Sequence, residues 1–185
     1  TTGLGGDSEV HVVEGLGGGV QLGPRRLMPI ALAAREYPDL VHRELDRALA
    51  IDVPASDGMQ FAVPMWREMP EGLDPREAAV AGRLTNGPQR VGVAVTSRME
   101  SPALARLVTR GMVMIAGVTP SDASHVLGRV DVWDAQASVK ALTLFARRRT
   151  GAGERLAADA ETMSQMIVDQ LTRQTVDCLL QAAFA

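Results

Sequence analysis

Apolar and polar positions alternate through Val10, Val12, Val20 and Leu22, on either side of Gly15-Leu16-Gly17-Gly18-Gly19. A period of two around a glycine connection predicts a β-hairpin over residues 9–22, with Gly23-Pro24 breaking its second strand. The period then lengthens. Two short helices are predicted, Leu27–Arg35 and Asp39–Ala50, parted at Tyr37-Pro38 because the residue before a proline avoids helical backbone. In the second helix Leu40, Val41, Leu45, Ala48 and Leu49 form an apolar stripe that Glu44 interrupts. Residues 52–58 read as a turn, and Met59–Trp66 as an extended segment that Pro64 confines to a sheet edge. Met69–Asp74 reads as a linker, which predicts two lobes, 1–70 and 71–185.

The second lobe reads as helical. Asp74-Pro75-Arg76-Glu77 sets an N-cap acid, an N1 proline and an N3 Glu in order, so a helix starts at 75 and runs to about 85, where Asn86-Gly87-Pro88 stops it. Ser101-Pro102 opens another that ends at Gly111, followed by an apolar extended run, Met112–Ile115. Thr119-Pro120-Ser121-Asp122 repeats the capping pattern before a helix to about Leu127. Asp131 and Asp134 flank the start of a longer helix to about Arg149, whose Arg147, Arg148 and Arg149 suit the negative end of its dipole. After Gly151–Gly153 a final helix of roughly 28 residues carries Leu156, Ala160, Met163, Ile167, Leu171 and Cys178 on one stripe.

Composition narrows the function classes. Apolar residues make up 46% of the 185 but aromatics only 3%, so the core is built from Ala, Val, Leu and Met. A net charge of −3 gives no general attraction to nucleic acid or anionic membrane, and neither is expected as a partner. No apolar run nears the roughly 20 residues of a membrane span. The single Cys178 excludes an internal disulfide and a cysteine zinc cluster, fits a reducing cytoplasm, and is expected buried on its stripe.

Candidate chemistry concentrates at the start of the chain. Thr2-Gly3-Leu4-Gly5-Gly6-Asp7-Ser8 leads directly into the first strand, and three glycines in four positions let backbone N–H groups approach an anion. On spacing alone the loop reads first as a tight turn between strands. It has neither the three spaced glycines of a dinucleotide loop nor the Gly-Lys-Ser/Thr of a P-loop.

Together with Gly23-Pro24-Arg25-Arg26 and Thr119-Pro120-Ser121-Asp122-Ala123-Ser124-His125-Val126-Leu127-Gly128, this loop resembles the hydantoinase A/5-oxoprolinase family over residues 1 to about 150. The resemblance implies an α/β fold (α+β in outline): a partial actin-like or sugar-kinase-like ATPase lobe with a small sheet, then a mainly helical lobe. It also implies ATP-dependent opening of a cyclic amide such as a hydantoin or 5-oxoproline, with ATP and Mg as cofactors of the intact enzyme. Family members carry two Asp-Gly-Gly/Thr phosphate loops upstream and a glycine-containing adenosine segment downstream. This chain has neither, so it is expected to be an internal to C-terminal piece of a longer enzyme, inactive and without bound cofactor in isolation. The implied partners are the remainder of the polypeptide, a hydantoinase B-type subunit, a small cyclic amide and a second copy of the chain. On this resemblance Asp7 and Ser8 take catalytic roles, Gly3, Gly5 and Gly6 face the cofactor, and Arg25, Arg26 and Asp122 touch substrate or phosphate.

Blander readings stand beside these. Asp122 and His125 share a helix face and could orient one another or hold a metal, yet Asp122 is also placed to cap its helix. Arg25 and Arg26 serve as well in surface ion pairs. Ser8, Asp7, His11, Asp122 and His125 can be assembled into a triad on paper, but no Gly-x-Ser-x-Gly elbow accompanies them. A structural or subunit-contact lobe is the alternative function. Residues 75–118 also have the outline of a winged helix, with Arg106 and Arg110 on one face of its second helix, against which stand the acidic balance and a single lysine, Lys140.

Overall fold

Ser8–Val12 (β1) and Val20–Arg26 (β2) pair antiparallel, with Val10 opposite Leu22 and Val12 opposite Val20. This and all that follows is read from a computed structural model that describes residues 4–15, 18–52 and 57–184. The hairpin is the one the alternation predicts, but β2 does not stop at Gly23-Pro24. It continues to Arg26, opposite Ser8, and a break in register between Ser8 and Val10 lies across from the cis Gly23–Pro24 bond.

A short extended segment, β3 (Met28–Pro29), precedes α1 (Ile30–Glu36) and α2 (Pro38–Leu49). The first helix starts three residues later than predicted because Met28, ahead of a proline, stays extended. The chain then forms β4 (Phe61–Pro64), α3 (Pro75–Arg83), β5 (Gln89–Arg90), α4 (Val91–Ala94), α5 (Ser101–Thr109) and β6 (Val113–Gly117). The last three helices are α6 (Pro120–Val126), α7 (Ala135–Ala146) and α8 (Ala160–Phe184). The architecture is mixed α/β.

Contacts divide the chain into residues 1–54 with 118–185, and residues 55–117. This differs from the predicted boundary at residue 70, for a packing reason. In the first unit the inward face of the hairpin, Val10, Val20 and Leu22, is covered by Ala123 of α6, Leu142 and Phe145 of α7, and Met163 and Ile167 of α8. Burying that face removes apolar surface from water at roughly 25 cal/mol per Å2, which ties the two ends of the sequence into one core. Gln174 of α8 extends the tie: its amide donates to Leu22 O and its carbonyl accepts from Leu22 N–H, at 3.2 and 2.9 Å. The turn after α7 also closes on the hairpin connection. Gly151 donates to Gly15 O, and a Cβ on Gly151 would come within 2.5 Å of that oxygen.

The long helix departs from its predicted stripe. Leu156 lies before the helix, which begins at Ala160 after Asp159 caps the N–H of Thr162. Burial is complete at Met163 and Ile167 but fades past Leu171, and from Thr175 to Phe184 every described side chain except Cys178 is exposed. Cys178, expected buried, is half-exposed, while Leu179 is 66% and Phe184 87% exposed.

In the second unit β4 pairs antiparallel with both β5 and β6, so it is not the edge strand that Pro64 suggested. Pro64 is the last residue of β4, beyond the two residues that β5 reaches, and the next N–H, that of Met65, donates to Met112 O beside β6. The missing proline N–H therefore costs no ladder bond. The capping box at α3 forms as the sequence predicts, with Asp74 accepting from Glu77 N–H and Glu77 accepting from Asp74 N–H. Its acids also hold α5: Arg106 pairs with Asp74 at 2.9 Å and Arg110 with Glu77 at 3.1 Å. The two arginines that a recognition helix would present are thus engaged with α3.

Candidate functional site

The glycine loop turns because Ser8 closes it. Gly5 N–H donates to Ser8 Oγ at 3.0 Å and Ser8 N–H donates to Gly5 O at 3.1 Å. Ser8 is only 1% exposed, so the hydroxyl expected to act on substrate holds the turn instead. Asp7 points outward. Both its carboxylate oxygens accept from Arg26 Nη1 at 3.1 Å, with the two side chains 41% and 58% exposed. Arg25 pairs with Glu9 at 3.5 Å. The adjacent arginines of β2 therefore bind different acids, and Arg26 alone belongs to the loop. Gly3 lies outside the described residues.

The turn that opens α6 sits on this loop. Ser121 N–H donates to Gly6 O at 2.9 Å, and a Cβ on Gly6 would come within 2.6 Å of Ser121 Oγ. A side chain at position 6 would displace the Ser121 hydroxyl from its present rotamer. Asp122 points the other way, into the interior, at 0% exposure. One carboxylate oxygen accepts from the N–H groups of Ile30 and Thr119 and from the Thr119 hydroxyl. The other accepts from Ala31 N–H at 2.9 Å and the Ser138 hydroxyl at 2.8 Å. Burial pushes this carboxyl above its ordinary range, while the Ala31 N–H, the Ser138 hydroxyl and the Ile30 N–H pull against that rise. Expected to touch substrate or phosphate, Asp122 instead caps two helices: α6 through its capping box with Thr119, and α1, whose own N-cap position is a proline without a side-chain acceptor.

His125 is equally occupied. Its Nδ1 donates to Ser121 O at 2.7 Å, its Nε2 accepts from Trp133 N–H at 3.2 Å, and its ring stacks on Trp133 with centroids 5.8 Å apart. These partners place the proton of the ring on Nδ1. Ser8, Asp122 and His125, three of the five residues that can be combined into a triad on paper, each serve a separate turn or cap.

The fit to Mg-ATP follows from these partners. Among the described residues no three His, Cys, Asp or Glu side chains converge on a point that could hold a cation. The Gly5 N–H is spent on Ser8, and the Asp7 carboxylate is engaged by Arg26. Of the glycines assigned to the cofactor, Gly5 thus turns its N–H to Ser8 and Gly6 its carbonyl to Ser121.

One polar constellation was not singled out from the sequence. His42 on α2 meets Asp134, the N-cap of α7, with Nε2 and Oδ2 2.6 Å apart. Lys140 on α7 reaches His42 Nδ1 at 3.0 Å and Asp46 at 2.8 Å. Burial raises the Asp134 carboxyl, but hydrogen bonds from His42 and Ala137 N–H outweigh it and leave the group below its ordinary range. The available signals were His42 and Asp46 four apart on a helix and a single lysine among nineteen Lys and Arg residues.

Comparison with protein-family models, with curated proteins and with solved structures finds no match to this chain.

Proposed function

We propose that this chain is part of an ATP-dependent enzyme that opens cyclic amides of the hydantoin or 5-oxoproline type. The supporting observation is that two of the three motifs carrying the resemblance, far apart in sequence, meet at Gly6 and Ser121. Asp7 and Arg26 lie exposed at that meeting point, an anion and a cation within reach of a small polar ligand. In this reading the remainder of the polypeptide supplies the phosphate loops and holds nucleotide and Mg, which provide phosphoryl transfer to the amide oxygen. Asp7 and Arg26 position the substrate beside them, since positioning and charge neutralisation dominate such catalysis. An actin-like fold for the intact enzyme belongs to the same proposal.

The test is to assay the polypeptide extended upstream of Thr1 for ATP-dependent hydrolysis of hydantoin and of 5-oxoproline. Turnover with either, reduced by Asp7→Ala, supports the reading. An upstream sequence without phosphate loops, or turnover indifferent to Asp7, overturns it.

A scaffold or subunit-contact role is the second reading. It is favoured by Val176, Leu179, Leu180 and Phe184, which stand exposed on the outer half of α8 at helical spacing.

A further inference from the structure

We infer that Lys140 is a nucleophilic amine, an acceptor of acyl groups from activated acyl donors, with His42 as its base and Asp134 as the group that orients that base. This goes beyond the reading above and does not depend on it.

Three observations carry it. The first is geometric order: Lys140 Nζ lies 3.0 Å from His42 Nδ1, and His42 Nε2 lies 2.6 Å from the Asp134 carboxylate. A nucleophile within hydrogen-bond reach of a base, itself held by a third group, is the arrangement that activates weak nucleophiles. The second is tautomer control. Asp134 can only accept, so His42 places its proton on Nε2 and leaves the Nδ1 lone pair facing the ammonium. The third is residue choice. Every other Lys-or-Arg position in the chain is arginine, and the single lysine stands where a proton must be shared with an imidazole. A guanidinium does not give up its proton in proteins, and an ammonium does.

Lys140 is accessible, with 27% of its side chain exposed. Asp46 competes for the ammonium at 2.8 Å, but that carboxylate is 58% exposed, and ion pairs with so exposed a partner contribute little.

In the step, the Lys140 ammonium passes one proton to His42 Nδ1, and Asp134 steadies the resulting imidazolium. The amine lone pair attacks the carbonyl carbon of an acyl phosphate and forms the C–N bond. The tetrahedral intermediate collapses with loss of the C–O bond to phosphate. The departing phosphate takes the second amine proton, and His42 releases the first to water. The products are an N-acyl lysine and inorganic phosphate, with no change of oxidation state.

Acetyl phosphate is the probe, and acetylation of Lys140 in the folded chain is followed by mass spectrometry against a synthetic peptide of residues 134–147. We expect Lys140 to react roughly tenfold or more faster than the peptide lysine. His42→Gln should bring the rate down to that of the peptide, Asp134→Asn should lower it in part, and Asp46→Asn should preserve or raise it. A folded-chain rate at or below that of the peptide overturns the inference, as does a His42→Gln rate equal to the parent's. Should His42→Gln fail to fold, the parent chain in urea against the folded parent decides. An unfolded rate matching the folded one sinks the proposal.

Discussion

The Asp122 carboxylate accepts the N–H of Ala31 across 91 residues of sequence, at 2.9 Å, and so caps a helix to which it does not belong. The oxygen that takes Ala31 also takes Ser138 of α7, which makes one side chain the junction of α1, α6 and α7.

Asp122→Ala should therefore destabilise the protein by about 3 kcal/mol or more, since it strands the buried N–H groups of Ile30 and Ala31. Asp122→Asn should lie between parent and alanine, because its amide NH2 has to face donors. Urea denaturation measures both, and a loss under about 0.5 kcal/mol for alanine, the range of ordinary surface changes, would remove Asp122 from this role.

Asp7→Ala separates function from fold. The Asp7–Arg26 pair is exposed on both sides, and such pairs contribute about 0–1 kcal/mol, so the melting temperature should barely move. Turnover of the extended enzyme should fall sharply. A drop in melting temperature with turnover per folded molecule intact would assign Asp7 to the turn alone.

Acid should weaken residues 55–117 through Glu100. The Thr96 hydroxyl and N–H, at 2.7 and 2.9 Å, and then Arg83 hold this carboxyl down from 4.5 to about 2. A depressed carboxyl stabilises the fold above its unfolded value, and that contribution drains away as pH falls through the folded value. Melting temperature should decline between pH 4.5 and 2, and Glu100→Gln should flatten the decline. An equally steep fall in the variant would place the acid sensitivity elsewhere.

The two halves of α8 should respond in opposite ways. Ile167→Ala opens a cavity in a fully buried position and should cost about 2–5 kcal/mol. Removing residues after Thr175 deletes side chains that are mostly exposed and should leave the melting point close to the parent's. Guanidinium titrations of both proteins test this, and a truncation as damaging as Ile167→Ala would mean that the outer half carries the fold.

What the sequence made legible was local. Asp74 with Glu77 and Thr119 with Asp122 are three residues apart, so cap chemistry alone reveals both boxes. The hairpin alternation is local too, and it survives. What escaped depends on partners far along the chain. Nothing near Asp122 tells that Ile30 and Ala31 lack a cap of their own, and nothing near Pro64 tells that β5 ends before reaching it. Lys140 and His42 are 98 residues apart and meet only because α2 and α7 pack together. The glycine loop was visible as a candidate, but its contact with Ser121 was not, because spacing does not report which turn lies across from it.

The division of the chain bears on how it is born. Residues 55–117 are contiguous, so that unit has all its strands and helices as soon as its last residue leaves the ribosome. The hairpin waits for its cover: Val10, Val20 and Leu22 stay exposed until Met163 and Ile167 have been synthesised. Contacts so distant in sequence form slowly, and an uncovered apolar ribbon is the element most prone to pair with another chain in the interval. In the nascent protein the same strand that leads out of the glycine loop is the segment a chaperone would have to shield.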